Sequence, residues 1–310
     1  MIITVTLNPA IDKTVEVPDF SLGGLNRTVS SRTDIGGKGI NVAKVVRALG
    51  YECVAAGILF GQSGRFIGKA LEKLGITCDF VYAPGEVRTN IKINDPVSHI
   101  TTELNESGPK VAQEVFLELR NRITERLMPG DIIVFSGSVP PGTDRDIYRE
   151  WIGYFNERGA YTILDADGDL FRFGMEAGPA AVKPNLHELG NYFGRPLDTT
   201  AEVCAKAREL FRFGSERILV SMGERGAVML DRQSGLFLPA MPIRVNGTVG
   251  AGDAMVAALA VSRARGDTPE SAMRLAVACA AASVMKEGTG TPSFEEVNTL
   301  LGQLGRPAVL

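Results

Sequence analysis

The sequence predicts an α/β protein with a mostly parallel central sheet. Short β-branched runs alternate with helical patterns along most of the chain, and this alternation places helices on both faces of a parallel sheet. The runs are almost continuously apolar, as expected of strands that are buried on both faces. A chain of 310 residues that is 45% hydrophobic and 22% charged can bury such a core without disulfides or metal ions.

Buried strands and amphipathic helices account for most of this alternation. The predicted strands are Ile2–Leu7, Cys53–Leu59, Asp131–Phe135, Tyr161–Leu164, Ala180–Val182 and Ile218–Ser221. The predicted helices are Gly39–Leu49, Ser63–Leu74, Val111–Leu127, Asp144–Asn156, Ala201–Phe213, Gly252–Arg265, Pro269–Met285 and Phe294–Leu304. The first helix carries an apolar stripe at the spacing i, i+3, i+4, i+7, formed by Val42, Val45, Val46 and Leu49.

The alternation is interrupted twice, at residues 13–33 and 86–103. Both segments have the pattern of short strands with charged alternation, as in TVEV and TNIKI, and neither has a helix of its own. Such strands do not join a parallel sheet easily, so we expect them to form a small second sheet together. Residues 1–310 are therefore predicted to be one domain with a small appendage, and not two domains in series.

Composition argues against several classes of function. Lys and Arg total 33 against 36 Asp and Glu, and the net charge of −3 offers no basic surface for nucleic acid or an anionic membrane. The 4 cysteines are too far apart for a CxxC site, and 2 histidines leave few candidates for a metal cluster. The longest nearly apolar stretch, Leu275–Met285, has about half the length of a membrane span. The opening MIITVTLNP has no signal-peptide pattern, so we expect a cytoplasmic protein.

The strongest candidate site is Thr248–Asp253 (TVGAGD), which leads into a helical pattern. Glycines at the start of a helix let backbone N–H groups converge on an anion. Asp253 lies in the predicted first turn, where a carboxylate is also favoured for purely structural reasons by the helix dipole. A carboxylate beside an anion site is what phosphoryl transfer to a hydroxyl needs, because the amides stabilise the transferred group and the carboxylate accepts the hydroxyl proton.

A second glycine cluster, Asp34–Asn41 (DIGGKGIN), precedes the first predicted helix. Its glycines allow the backbone to approach a ligand closely. Lys38 and Asn41 offer a cation and an amide to a phosphorylated, polyhydroxylated ligand, although an ordinary loop before a helix explains the same residues. Neither GxxxxGK[ST] nor GxGxxG occurs in the chain, which argues against P-loop and dinucleotide-binding proteins.

Three further segments have structural explanations of their own. In VKPNLHEL, Asn185 and Glu188 match a capping box at a helix start. In VSMGERG, residues 220–226, the glycines match a β-turn. Asp165 and Asp167 follow a predicted strand, where either a turn or contact with a nucleotide or Mg²⁺ would explain them.

Taken together, seven segments occur in a characteristic order: TLNPAID, GGKGIN, RTNIK, SGSVPPG, VKPNLHEL, VSMGERG and TVGAGDAMVAA. In this order they resemble the ribokinase-like carbohydrate kinases, specifically the phosphofructokinase B family, over essentially the whole chain. The last segment is the most specific of the seven. The resemblance implies a three-layer αβα sandwich with a mostly parallel central sheet and a small β-sheet lid, formed by insertions at about 13–33 and 86–103.

The resemblance also implies the residues of an active site. Asp253 is implied to be the catalytic base, and Gly250, Ala251 and Gly252 to supply the amides of an anion hole. The implied substrate-binding residues are Asp12, Arg27, Gly37, Lys38, Asn41, Arg88 and Ser138. Among these, Arg88 is implied to hold the existing phosphate of the ligand, helped by Lys38 and Arg27. The implied ATP-binding residues are Lys183, Asn185, Ser221, Gly223, Gly226 and Thr248. Glu188 is implied to act on Mg²⁺ through water.

The implied activity is ATP- and Mg²⁺-dependent phosphorylation of a ketohexose phosphate. TLNPAID, GGKGINVA, RTNIK and TELNESGP are most similar to family members that convert fructose 1-phosphate to fructose 1,6-bisphosphate. The tagatose-6-phosphate kinases, which also carry GGKG, are the nearest alternative, and a non-catalytic sugar-phosphate sensor on the same fold is a more distant one. A homodimer through the lid is also implied, since a sheet too small to stand alone favours pairing between subunits.

Overall fold

The computed structural model describes all 310 residues and contains two separate β-sheets. The strands are β1 (Ile2–Thr6), β2 (Ala10–Glu16), β3 (Ser30–Gly36), β4 (Cys53–Phe60), β5 (Thr77–Ala83), β6 (Arg88–Asp95), β7 (Ile100–Asn105), β8 (Ile132–Ser136), β9 (Tyr161–Asp165), β10 (Ala181–Val182), β11 (Arg217–Ser221), β12 (Ala227–Leu230), β13 (Gly235–Leu238) and β14 (Ala308–Val309). The helices are α1 (Lys38–Ala48), α2 (Gly61–Lys73), α3 (Gln113–Arg126), α4 (Ile147–Asn156), α5 (Gly168–Glu176), α6 (Leu186–Tyr192), α7 (Thr200–Glu209), α8 (Ala251–Arg265), α9 (Pro269–Val284) and α10 (Phe294–Gln303).

The large sheet has ten strands in the order β14-β13-β12-β11-β10-β9-β8-β1-β4-β5. The strands from β11 to β5 pair in parallel, as the alternation of strands and helices predicted. The other edge, β12 to β14, is antiparallel. Only a short turn separates β11 from β12, and a connection of that length can join antiparallel strands but not parallel ones. The predicted mostly parallel sheet is therefore confirmed, with an antiparallel edge that sequence reasoning did not foresee.

Helices cover both faces of the large sheet and complete three layers. Helices α1, α8, α9 and α10 pack on one another on one face, whereas α2 to α7 lie along the other. Strands β1, β4 and β8 are buried along their whole length, which explains their unbroken apolar runs. Residues 253–262 of α8 are also buried, because this part of the helix lies between the sheet and α9. No helix combines the length and the apolar character that crossing a membrane requires.

The small sheet has the strand order β3-β2-β6-β7. Along the chain, its strands β2 and β6 follow β1 and β5 of the large sheet. Strand β2 pairs with β3 in antiparallel and with β6 in parallel orientation. The expectation that the two interrupting segments form a second sheet together is thus confirmed. This sheet has little core of its own, and several apolar side chains of its strands and connecting loops are exposed: Leu22, Leu25, Val29, Val97, Ile100 and Leu104.

Sequence reasoning missed several elements besides the antiparallel edge. Strand β5 carries polar residues and lies at the edge of the large sheet, where only one side of the strand is paired. Helix α5 begins at Gly168 and spans only 9 residues, GDLFRFGME. Its first two residues, Gly and Asp, favour a turn by local propensity. The segment nevertheless forms a helix because it packs against β9 and α4.

Candidate active site

The candidate site lies where the parallel strands of the large sheet end, beside the small sheet. Asn8 follows β1, Ser138 follows β8, Asp165 ends β9, Lys183 follows β10 and Ser221 ends β11. These strands are adjacent in the sheet, so their carboxyl ends meet along one edge. Ligands of open α/β sheets bind at this edge, and most of the segments singled out in the sequence converge there.

The start of α8 forms a backbone site suited to an anion. Gly250 precedes the helix with φ of 83°, a left-handed conformation that glycine adopts without strain. No side chain caps the helix, so its first amides are free to bind a ligand. A Cβ atom on Gly252 would lie 3.2 Å from the Nζ of Lys183. A buried ammonium group therefore stands beside the exposed amides and adds positive charge to them.

Asp253 lies in the first turn of this helix and is 6% exposed. Its Oδ2 accepts a hydrogen bond of 2.9 Å from Nδ2 of Asn41, so the two glycine-rich segments meet at this carboxylate. Burial and the nearby Asp165 carboxylate together raise the pKa of Asp253 to about 6, against the opposing effects of Lys38, Asn41 and Lys183. A carboxylate with a pKa of this value can act as a general base near neutral pH.

Asp165 is the centre of a buried charge cluster behind this site. Its carboxylate is 1% exposed and forms ion pairs with Lys183 at 3.2 Å and Lys38 at 3.4 Å. The hydroxyl of Ser136 donates a hydrogen bond of 3.1 Å to its Oδ2. Although burial opposes ionisation, Lys183 and Lys38 hold the pKa of Asp165 below its usual value. The sequence left two interpretations of Asp165 open, a turn or contact with a nucleotide or Mg²⁺. Its ion pairs with both lysines were not predicted.

Lys38, at the start of α1, faces this cluster. The charges of Asp165, Asp253, Glu188 and Asp167 raise the pKa of Lys38 more than burial lowers it. The resemblance had implied that Lys38 helps Arg88 to hold the phosphate of the sugar. In the structure Lys38 contacts Asp165 on the side of Asp253 and Lys183, and no contact joins it to Arg88.

The small sheet carries two of the residues assigned to the sugar, Asp12 and Arg88. Asp12 in β2 is 8% exposed, and its Oδ1 accepts a hydrogen bond of 2.8 Å from Asn90 in β6. Asp12 and Asn90 are direct neighbours across the two strands, as are Ala10 and Arg88. The Nη1 of Arg88 in turn reaches Oδ1 of Asn90 at 3.4 Å. Sequence reasoning missed Asn90, although Arg88 and Asn90 are two residues apart and therefore share one face of the strand.

Arg88 and Asn8 connect the small sheet to the large one. Arg88 donates to the carbonyl oxygens of Glu106 at 3.1 Å and Asn8 at 3.4 Å, while its Nε is buried without a partner. The side-chain amide of Asn8 donates to Ser107 at 3.1 Å and to the hydroxyl of Ser138 at 3.3 Å. Asn8 thus joins three of the seven ordered segments, TLNPAID, RTNIK and SGSVPPG, and its role was not foreseen.

Two other residues assigned to the sugar differ in placement. Arg27 lies in the exposed loop between β2 and β3, and its side chain makes no hydrogen bond or ion pair. Gly37 precedes α1 with φ of 112°, and a Cβ there would lie 2.9 Å from the methyl carbon of Thr6. The close approach of α1 to the end of β1 therefore requires glycine at this position.

The residues assigned to ATP follow β10 and β11, next to the anion site. Asn185 and Ser221 form an isolated parallel bridge. Asn185 also caps α6, since its Oδ1 accepts from the amide of Glu188 at 2.8 Å and Glu188 accepts from the amide of Asn185 at 2.8 Å. The predicted capping box is thus confirmed. Gly223 and Gly226 have φ of 59° and 96° in the turn that follows β11. Thr248 is exposed two residues before Gly250.

The acidic side chains around Lys38 are compatible with a divalent cation that arrives with a nucleotide. Four carboxylates raise the pKa of Lys38 and therefore face a common region: those of Asp165, Asp167, Glu188 and Asp253. No group of three or more His, Cys, Asp or Glu side chains converges closely enough to hold a metal by itself. Mg²⁺ is commonly held by one or two carboxylates, waters and substrate phosphates, and this set of residues fits that mode of binding.

Comparison with known proteins identifies the relatives of this chain. The family described as pfkB family carbohydrate kinase matches residues 5–296. A 1-phosphofructokinase of Rhodobacter capsulatus is 36% identical over 303 residues, covering 96% of this chain and 95% of the relative. A tagatose-6-phosphate kinase of Staphylococcus epidermidis is 30% identical, with coverages of 96% and 97%. Phosphofructokinase-2 from Escherichia coli, crystallised with substrates and products, superposes with a TM-score of 0.93 at 28% identity, covering 98% of this chain and 99% of that one.

Proposed function

The chain belongs to the pfkB family of carbohydrate kinases, and we propose that it phosphorylates the 6-hydroxyl of fructose 1-phosphate with ATP. The products would be fructose 1,6-bisphosphate and ADP. The observation that carries the proposal is the position of Asp253, a buried carboxylate whose pKa is raised to about 6 beside the free amides of α8. The similarity to 1-phosphofructokinases over nearly the whole chain supports the choice of substrate.

In this mechanism Asp253 accepts the proton of the attacking hydroxyl. The hydroxyl oxygen forms a bond to the γ-phosphorus while the bond to the oxygen bridging the β- and γ-phosphates breaks, and that oxygen leaves with ADP. The amides at Gly250–Gly252 and the ammonium of Lys183 would stabilise the negative charge on the transferred group. Asn41 orients the base through its hydrogen bond to Asp253.

Mg²⁺ bound with ATP would neutralise charge on the β- and γ-phosphates. We assign Asp165 and Glu188 to its binding, with Glu188 acting through water, because both carboxylates face the region around Lys38. Asn185, Ser221, Gly223, Gly226 and Thr248 would line the nucleotide site beside the ends of β10 and β11.

The small sheet would serve as the lid over the sugar. Arg88 is suited to the existing phosphate, because its guanidinium presents several donors and its Nε is buried without a partner. Asp12, fixed by Asn90, would accept hydrogen bonds from the sugar hydroxyls. Closure of the lid would exclude water and so favour transfer to the sugar over hydrolysis of ATP.

Two alternatives follow from the same site. A tagatose 6-phosphate kinase would use the same residues, and a relative of that name is 30% identical over most of the chain. A sugar-phosphate sensor would bind without turnover, and the combination of Asp253 with the glycines before it argues against that role. The proposed partners are therefore ATP and a phosphosugar, without nucleic acid or membrane.

A substrate panel tests the proposal. Purified protein with Mg-ATP is assayed against fructose 1-phosphate, tagatose 6-phosphate and fructose 6-phosphate, with fructose and a nucleoside as unphosphorylated controls. We expect kcat/KM to be highest for fructose 1-phosphate and lower by about 10⁴ for fructose, whose missing phosphate leaves Arg88 unpaired. A higher kcat/KM for tagatose 6-phosphate than for fructose 1-phosphate would show that the protein is instead a tagatose-6-phosphate kinase. Turnover no better than that of the unphosphorylated controls would refute a phosphosugar kinase.

We further propose that the enzyme is a cytoplasmic homodimer that pairs through the small sheet. The exposed apolar side chains of that sheet and its connecting loops, with Ile100 on β7 61% exposed, support an interface there. All four cysteines are free thiols, which suits a reducing compartment.

A further inference from the structure

Lys44 is a buried cation that the proposed mechanism does not use. It lies in the middle of α1, is 7% exposed, and makes its hydrogen bonds to carbonyl oxygens and not to a carboxylate. Removing an ammonium group from water is costly unless its surroundings compensate. Burial lowers the pKa of Lys44, while the charges of Asp34, Asp253 and Asp12 oppose that effect and favour the charged form.

The two hydrogen bonds of Lys44 join distant parts of the molecule. Its Nζ donates to the carbonyl oxygen of Ile35 at 3.1 Å and to that of Thr289 at 3.3 Å. Ile35 belongs to β3 of the small sheet. Thr289 belongs to residues 285–293, the loop between α9 and α10, which we call the brace loop. Lys44 is therefore a bridge between the small sheet and the brace loop.

The brace loop also packs directly on β3. Gly288 has φ of 61°, and a Cβ atom there would lie 2.6 Å from Oδ2 of Asp34. Asp34 is held in turn by an ion pair of 2.9 Å with Arg32. The backbone of the loop thus lies against the Asp34 side chain of β3, in a left-handed conformation that favours glycine.

On its other side, the brace loop and the residue before it support the segment that leads to the anion site. The amide of Asn246 donates to the carbonyl oxygen of Val284 at 2.8 Å, and that of Gly247 donates to the same oxygen at 3.2 Å. The side chain of Asn246 donates to the carbonyl oxygen of Met285 at 2.8 Å. A continuous set of contacts therefore runs from β3 through Lys44 and the brace loop to the residues before Gly250.

We propose that Lys44 is a positioning residue that couples the small sheet to the anion site. Its ammonium group holds β3 and the brace loop in one arrangement. As a result, closure of the small sheet over the phosphosugar also aligns the amides at Gly250–Gly252. This inference rests on the proposed function, since it assigns the coupling to phosphoryl transfer.

Kinetics of three variants test the coupling. Lys44→Met keeps the length of the side chain and removes its donors, Lys44→Arg restores donors, and Val46→Ala is a control that removes buried methyl groups from the same helix without removing a hydrogen bond. Relative to Val46→Ala, we expect Lys44→Met to lower kcat about tenfold and to raise the ATP hydrolysed per sugar phosphorylated. The KM for ATP should stay within about twofold, and Lys44→Arg should recover part of kcat. A kcat equal to that of Val46→Ala, with hydrolysis still coupled, would overturn the proposal.

Hydrogen exchange tests the bridge without any substrate. In Lys44→Met, but not in Val46→Ala, the amides of residues 30–36 and 286–290 should exchange faster than in the wild type. Unchanged protection would refute the bridge even if activity fell. A wild-type protein that phosphorylates no sugar phosphate, while Lys44→Met loses protection at both segments, would refute the proposed function and leave the bridge in place.

Discussion

At the scale of single residues, the site holds two buried carboxylates whose pKa values are shifted in opposite directions. The pKa of Asp253 is raised to about 6 by burial and by Asp165, whereas Lys183 and Lys38 lower the pKa of Asp165. Two neighbouring acids pushed apart in this way acquire different roles. Asp165 stays ionised to balance the lysines, and Asp253 is able to take up a proton.

This separation predicts the pH dependence of the reaction. A general base works only when it is deprotonated, so kcat/KM for the phosphosugar should fall as the pH drops through about 6 and reach a plateau above it. Steady-state rates between pH 5 and pH 8 measure the profile. A flat profile across this range would contradict the assignment of Asp253 as base.

Asp253→Asn provides the control for that profile. The amide cannot accept the hydroxyl proton, so kcat should fall about 10²–10⁴-fold while phosphosugar binding is largely kept. The phosphate of the substrate ionises in a similar pH range. Calorimetric binding to Asp253→Asn as a function of pH therefore isolates the contribution of the phosphate. Near-normal turnover of Asp253→Asn would remove this residue from catalysis.

At the scale of elements, helix starts supply much of the site. Helix α8 begins without a side-chain cap and offers its amides to a ligand, whereas α6 begins with the reciprocal capping box of Asn185 and Glu188. Glu188 therefore has a structural role that can be separated from the proposed role in Mg²⁺ binding. Helix α7 carries the same capping box with Glu202 on an exposed surface.

Glu188→Gln separates these two roles. Glutamine at this position still accepts the backbone hydrogen bond, so the free energy of unfolding should change as little in Glu188→Gln as in Glu202→Gln. Because the charge is lost, the apparent affinity for Mg²⁺ in the kinase assay should fall about 10- to 100-fold in Glu188→Gln alone. If Glu188→Gln and Glu202→Gln depended on Mg²⁺ identically, Glu188 would have only its structural role as a helix cap.

At the scale of the whole molecule, the small sheet is the least self-sufficient part of the fold. Its four strands and their connecting loops expose apolar side chains, among them Leu22 in the loop between β2 and β3 and Ile100 and Leu104 on β7. A sheet of this size is marginally stable unless one face packs on something else. Pairing with a second copy would cover this face and hold Asp12 and Arg88 in place.

A pair of matched variants tests the proposed dimer. Ile100 in the small sheet and Phe66 on α2 are similarly exposed, at 61% and 57%. In sedimentation, the wild type and Phe66→Lys should be dimers, whereas Ile100→Lys should be a monomer because a buried unpaired charge opposes association. The monomer should also have a higher KM for the phosphosugar. If Ile100→Lys formed dimers as stable as those of the wild type, the dimer interface would not lie on the small sheet.

Local patterns in the amino-acid sequence are enough to predict the main sheet, most of its helices and several of the chemical groups of the site. Continuous apolar runs specify strands buried on both faces, and the glycines before Asp253 specify an uncapped helix start, because both patterns act over a few neighbouring residues. The two interrupting segments were likewise recognisable as strands foreign to the parallel sheet. These features follow from local backbone and solvation preferences, which the order of residues expresses directly.

Which of these groups come into contact depends on the packing of the whole chain. Asn41 and Asp253 are 212 positions apart, and Lys44 and Thr289 are 245 apart. The pairing of Asp165 with two lysines, the junction at Asn8 and the bridge at Lys44 arise from the closure of the whole sheet and its helices. Each of these contacts joins segments that have no local preference for one another, so the packing of the complete core brings them together.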